Sequence, residues 1–230
     1  MPLAIITGSS RGLGLALARA LAQRGWALVI DARGAAELER IADELRQVTE
    51  VAAIPGDVAD DGHRGALAEA AGERIDLLVN NASTLGPSPQ PRLADYPLAE
   101  LERVYRVNVL APLALAQLVL SRMPDGGCIV NVTSDAAVEP YERWGGYGSS
   151  KAALEQCSAI LAAEHPELRI YAVDPGDMRT QMHQEAFPGE DISDRPLPEE
   201  SVPGLLEVIE AGLPSGRYVA RALGPSESSS

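Results

Sequence analysis

The chain has 230 residues, 46% of them hydrophobic, and a formal net charge of -14 at pH 7. That length can bury a full core in one domain, and no Pro/Gly/Ser-rich linker interrupts the middle. So acidic a balance excludes an electrostatic grip on nucleic acid or on an anionic membrane surface. Cys128 and Cys157 give neither a disulfide framework nor metal spacing, and His63, His165 and His183 are scattered. The N-terminus enters an apolar run at Leu3 with no basic region, and the longest apolar stretch, 109–120, is short and holds Pro112 and Gln117. The expectation is a cytoplasmic protein without a membrane span.

Residues 3–6 are apolar and feed into Thr7-Gly-Ser-Ser-Arg-Gly-Leu-Gly14, after which Leu15, Leu17, Ala18, Leu21 and Ala22 recur at helical spacing. A strand, a glycine turn and a helix follow from this pattern. Such a junction aims backbone N–H groups and the positive helix end at one spot, and Gly8, Gly12 and Gly14 let a pyrophosphate approach closely. The spacing is Gly-x-x-x-Gly-x-Gly rather than the Gly-x-Gly-x-x-Gly of many dinucleotide folds, so an ordinary strand-to-helix turn is the alternative. Gly25 closes the helix. Strands are then predicted at 27–31, 51–55, 75–80, 128–132 and 169–173, and a last one at 216–220. Helices are predicted at 35–47, 62–71, 98–122 with a break near Pro112, and 148–164. The alternation implies a parallel sheet covered on both faces, with ligands at the carboxyl ends of its strands. Thr7-Gly8, Asp57, Asn80-Asn81, Ser134 and Pro175-Gly176 each follow a strand directly. Residues 224–230 read as a disordered tail behind a single domain over 1–223.

The stretch from Ser134 to Lys151 carries the proton-transfer chemistry. Tyr147 and Lys151 stand i,i+4 on one face of the first turn of a helix and can share a ligand. A free phenol titrates near 10, so proton exchange at neutral pH needs a shift of roughly three units, about 4 kcal/mol of help for the phenolate. An ammonium and a helix N-terminus both supply that sign of help. Ser134 can orient a carbonyl oxygen toward Tyr147. A Tyr and a Lys four apart also occur by chance in many helices.

In combination, Thr7-Gly-x-x-x-Gly-x-Gly14, Asp57-Val58, Asn80-Asn81-Ala82, Asn108, Ser134, Tyr147-x-x-x-Lys151 and Pro175-Gly176 resemble the short-chain dehydrogenase/reductase family over about residues 3–220. The resemblance implies an α/β fold of the Rossmann type: doubly wound, three-layered, with a seven-stranded parallel sheet in the order 3-2-1-4-5-6-7. It implies a nicotinamide dinucleotide across the strand ends, held by Gly8, Ser10, Arg11, Gly12, Leu13, Gly14, Asp57, Val58, Asn80, Ala82, Tyr147, Lys151, Pro175, Gly176, Met178 and Thr180. Within it, Tyr147 is the general acid and Lys151 holds the nicotinamide ribose and lowers the Tyr147 pKa. Ser134 polarises the substrate carbonyl and Asn108 anchors a water relay behind Lys151. Asn80 has a second reading as a sheet brace, and Asn108 as a helix-start residue.

Three departures stand out. Ser83 follows Asn-Asn-Ala where the family has Gly, the lid region 181–201 is short and acidic, and the chain ends soon after its last predicted strand. The expected activity is carbonyl reduction, or alcohol oxidation in reverse, on a small molecule. A non-catalytic dinucleotide sensor on the same fold is the alternative; epimerase and dehydratase relatives tend to be longer and to use a different glycine turn. Asp31 lies about where an acid would hold a ribose diol, but counting from Gly25 the position that carries the acid in NAD-preferring relatives is Ala32, followed by Arg33. Arg11 and Arg33 therefore favour NADP(H) over NAD(H). The apolar helix at 110–120 and the helix at 152–163 are expected to pair in a homodimer or homotetramer.

Overall fold

Seven parallel strands form one sheet in the order β3-β2-β1-β4-β5-β6-β7 in the computed structural model, which describes residues 1–223. They are β1 (Leu3–Ile6), β2 (Ala27–Ala32), β3 (Val51–Pro55), β4 (Leu77–Asn80), β5 (Cys128–Val132), β6 (Arg169–Asp174) and β7 (Gly216–Val219). This is the expected Rossmann-type sheet and order. The tail expected at 224–230 lies outside the described residues.

The strands are apolar on both faces because helices cover both. Successive side chains of a strand point to opposite faces, so Ile6 and Ile5, each fully buried, serve different layers. Ile6 shares a cluster with Leu17 and Leu21 of α1 (Gly12–Gln23), Leu38 and Ile41 of α2 (Ala35–Leu45) and Leu205 near the chain's end. Ile5 clusters with Leu67 of α3 (Asp61–Ala70) and with Leu115, Val119 and Leu161 from the other side.

The run over 98–122 differs from expectation in where it is irregular. Leu98–Tyr105 (α4) and Ala111–Val119 (α5) are joined by a π-helical turn, Arg106–Leu110, and Pro112 sits in the first turn of α5 without breaking it. A proline there has no N–H for the carbonyl four residues back, which is that of Asn108, and the ladder widens in that same turn. By length and composition the 25-residue run could cross a membrane. Its Val104, Val109, Leu115, Ala116 and Val119 are instead buried against the protein, as in a core helix.

The helix that carries the Tyr and Lys, α6 (Gly145–Glu164), starts earlier than the expected 148, which puts Tyr147 inside its first turn. After β6 come α7 (Gln181–Ala186), capped by the Thr180 hydroxyl, and α8 (Val202–Glu210).

Candidate active site

A cleft of about 1670 Å³ runs along the carboxyl ends of the strands. At its centre the glycine turn and the segment after β4 are one locked unit. The Thr7 hydroxyl accepts from the amides of Asn81 and Ala82, both at 3.0 Å, and Asn81 Nδ2 donates to the carbonyls of Thr7 and Gly8 at 2.8 and 3.1 Å. Gly8 has φ +69°, and a Cβ on Gly14 would come within 2.4 Å of the Gly8 carbonyl oxygen, so neither position admits another residue without the turn moving. The bare floor this leaves fits a dinucleotide pyrophosphate.

Ser10, Arg11, Gly12 and Leu13 line this floor, with Ala32, Arg33, Asp57 and Val58 at one end and Ala82, Pro175, Gly176, Met178 and Thr180 along the walls. Gly14 acts by close packing and does not face the cleft. Asn80 does not reach it either: its Nδ2 donates to Asn131 Oδ1 at 2.8 Å, and Asn131 Nδ2 donates to the Ser158 hydroxyl at 2.8 Å. That buried chain ties β4, β5 and α6 together, so Asn80 is a sheet brace and its place among the cleft residues is corrected. Arg11 donates to Gln181 Oε1, whereas exposed Arg33 has no ion-pair partner among the described residues.

Tyr147, Lys151 and Ser134 meet at the other end of the cleft. Lys151 is buried, its Nζ donates to the Val132 carbonyl at 2.8 Å, and it lies 5.5 Å from the centre of the Tyr147 ring. Burial pushes the Lys151 amine down to about 7. Burial likewise pushes the Tyr147 phenol above its ordinary value; the Ser134 hydroxyl and then the Ser83 hydroxyl oppose this, while Asp174 and Asp135 reinforce it. The expected lowering of Tyr147 by Lys151 is not seen: burial depresses the amine, which makes it a weak source of positive potential, and the phenol stands above its ordinary value.

Asn108 is fully buried in the π turn and does not face the cleft. Its Oδ1 accepts from Ser83 Oγ at 3.1 Å and the Thr84 amide at 2.9 Å, and its Nδ2 donates to the Thr84 carbonyl and the Ser150 hydroxyl, both at 2.9 Å. Four bonds use both amide hydrogens and both oxygen lone pairs. The side chain is thereby fully used in tying the 83–84 segment to α6. Ser83, the departure from the family glycine, is part of that tie.

Two carboxylates near Tyr147 carry no signal in the sequence. Asp135 accepts from Ser134 Oγ at 2.9 Å and from the Tyr141 hydroxyl at 2.8 Å. Asp174 accepts from Arg217 Nη2 at 3.1 Å, and burial raises its carboxyl above the usual range. An apolar wall forms at this end: Leu85, Tyr141, Trp144, Met182 and Phe187 all line the cleft, with Trp144 and Phe187 rings 5.8 Å apart.

The sequence matches the short chain dehydrogenase family over residues 2–191. The chain belongs to the short-chain dehydrogenase/reductase family. It is thus an NAD(P)-dependent oxidoreductase acting on CH–OH and C=O groups. It is 32% identical over 197 residues to sepiapterin reductase of Meriones unguiculatus, covering 78% of this chain and 75% of the relative. With 7alpha-hydroxysteroid dehydrogenase of Escherichia coli K12 it shares 34% identity over 185 residues, 77% of this chain and 71% of that one. A short chain dehydrogenase from Escherichia coli CFT073, solved in complex with NADPH, superposes with a TM-score of 0.87 at 25% identity, covering 96% of each chain. These short-chain oxidoreductases differ widely in the size and polarity of the molecules they are named for.

Proposed function

We propose that this oxidoreductase is an NADPH-dependent carbonyl reductase, or an alcohol dehydrogenase in the reverse direction, working on a small molecule in the cytoplasm. The observation that carries the reading is a single cleft with Tyr147, Ser134 and Lys151 at one end and exposed Arg33 beside Ala32 at the other. When bound, the nicotinamide supplies or accepts the hydride. The chain's own residues do the rest. Tyr147, with a pKa above 10, keeps its proton at neutral pH and gives it to the carbonyl oxygen. Ser134 turns its hydroxyl from Asp135 to the same oxygen and polarises it. Lys151 has three hydrogens on a protonated amine, enough for the Val132 carbonyl and for ribose hydroxyls together. Leu85, Trp144, Met182 and Phe187 exclude water from the reacting carbon. Absorbance of NADPH over a panel of ketones, aldehydes and quinones tests the activity. Binding without oxidation of the coenzyme across that panel would favour a sensor instead.

The coenzyme preference rests on Arg33 and Arg11, both on the cleft and both able to pair with a 2′-phosphate in fork geometry. At about 1.5–3 kcal/mol for each charge-assisted contact, the two favour NADPH by a hundredfold or more in kcat/KM. Arg33→Ala should weaken NADPH and leave NADH nearly unchanged. An NADH value equal to or above that for NADPH in the unaltered protein overturns the preference.

Self-association is part of the same reading. Leu110 and Leu118 of the α5 region and Ile160 of α6 remain exposed at 56%, 39% and 47%, an apolar strip across two neighbouring helices. A homodimer or homotetramer covers it. Light scattering at micromolar concentration is expected to give at least twice the monomer mass, and Ile160→Glu to lower it.

A further inference from the structure

A buried acid–histidine couple lies beneath the end of the cleft that holds Arg33, far along the chain from the reacting groups. Asp31, in the last turn of side chains on β2, is 1% exposed yet contributes to the cleft wall beside Ala32 and Arg33. Its Oδ1 accepts the Gly8 amide at 2.6 Å, and its Oδ2 lies 2.9 Å from His63 Nε2. A carboxylate only accepts, so Nε2 carries the proton.

His63 is built for this contact. It is 8% exposed in the first turn of α3, where its own amide donates to Asp60 Oδ1 at 2.8 Å. Its ring lies flush on Gly56: a Cβ at that position would stand 2.2 Å from Nδ1. Glycine beneath and a capped helix turn behind leave the ring aimed at Asp31.

We propose that His63 is a positioning residue for coenzyme selection, holding the Asp31 carboxylate on the glycine turn and away from the adenosine ribose. A carboxylate at the end of the second strand is the group that pairs with a ribose 2′,3′-diol, and its charge repels a 2′-phosphate. Here both of its oxygens are engaged, one by the turn and one by His63. Arg33, exposed on the same part of the cleft, is then the side chain there that can meet a 2′-phosphate. Without the His63 donor, Oδ2 becomes a buried, unpartnered carboxylate oxygen, an expensive state that ends when the group swings to the cleft. Ribose hydroxyls then supply the missing donors, provided no phosphate occupies the 2′ oxygen. The inference rests on the NADPH reading above.

The test is the ratio of dissociation constants for NADPH and NADH, measured by calorimetry on the full chain without substrate. His63→Leu should shift that ratio toward NADH by about tenfold or more, the effect of one charge-assisted hydrogen bond. His63→Gln, whose amide can donate to Oδ2, should stay near the unaltered protein. Asp31→Asn combined with His63→Leu should lose the shift. His63→Asn, polar but too short to reach, serves the same comparison if the Leu variant does not fold. Weakening of both coenzymes by one factor would mean that the ring only fills space, and a Gln variant shifted as far as Leu overturns the proposal equally. Unaltered protein that binds NADH as tightly as NADPH sinks the NADPH reading itself; NADPH preference unmoved by His63→Leu or His63→Asn sinks the latch alone.

Discussion

Tyr147→Phe is expected to lower kcat by at least about a hundredfold while NADPH affinity stays within a few-fold, because the hydroxyl serves the proton and little else. The ring keeps its place: it packs with Leu85 and Ala136 and sits edge-on to Trp144 at 5.8 Å, none of which needs the oxygen. Buried as it is, the phenol holds its proton through neutral pH, which suits an acid in the direction of reduction. The sign of the pH dependence follows. Carbonyl reduction needs the protonated phenol and should fall only as pH rises through its raised pKa. Alcohol oxidation needs the phenolate and should climb with pH across the neutral and alkaline range. Initial rates in both directions and a coenzyme titration decide it. A Phe variant that keeps more than about a tenth of the rate removes Tyr147 as the acid.

The sheet and its order were legible because their causes are local: short apolar runs bounded by glycine or polar residues, alternating with helical periodicity. The Gly8–Gly14 turn and the i,i+4 pair of Tyr147 and Lys151 are local too, and both stand where expected. What the sequence hid is set by contacts between distant residues. Asp31 and His63 are 32 positions apart, and no spacing rule joins a strand-end acid to a histidine on the far side of β3. Asn80 and Asn108 each carry family-like motifs, yet their amides are spent on Asn131 and on Ser83, Thr84 and Ser150. Pro112 misled for another reason. A proline near the start of a helical segment is tolerated, and its missing N–H is felt one turn upstream, where the π turn lies.

Lys151 shows the tension between stability and function most directly. Its amine, 2% exposed with one partner at Val132, is pushed down to about 7 from an ordinary value of 10.5. At neutral pH the unfolded chain therefore binds this proton more tightly than the folded chain does. A shift of that size opposes folding by on the order of 4 kcal/mol at pH 7. Lys151→Met keeps the length of the stem and removes the amine, so it should raise the unfolding temperature at pH 7, less whatever the orphaned Val132 carbonyl costs. It should also lower turnover by a hundredfold or more and weaken coenzyme binding, since the ribose contact is lost with the charge. The pH sign separates this from better packing. Between the folded pKa near 7 and the unfolded value the unfolded state binds more protons, so stability of the unaltered protein rises with pH across that window. The Met variant lacks the effect. Its advantage should be largest at pH 7 and below and should shrink by pH 9, as read from paired thermal melts. An advantage that holds constant or grows to pH 9 would mean that the amine stays protonated in the fold, and the account of why Lys151 does not lower the Tyr147 phenol would fail.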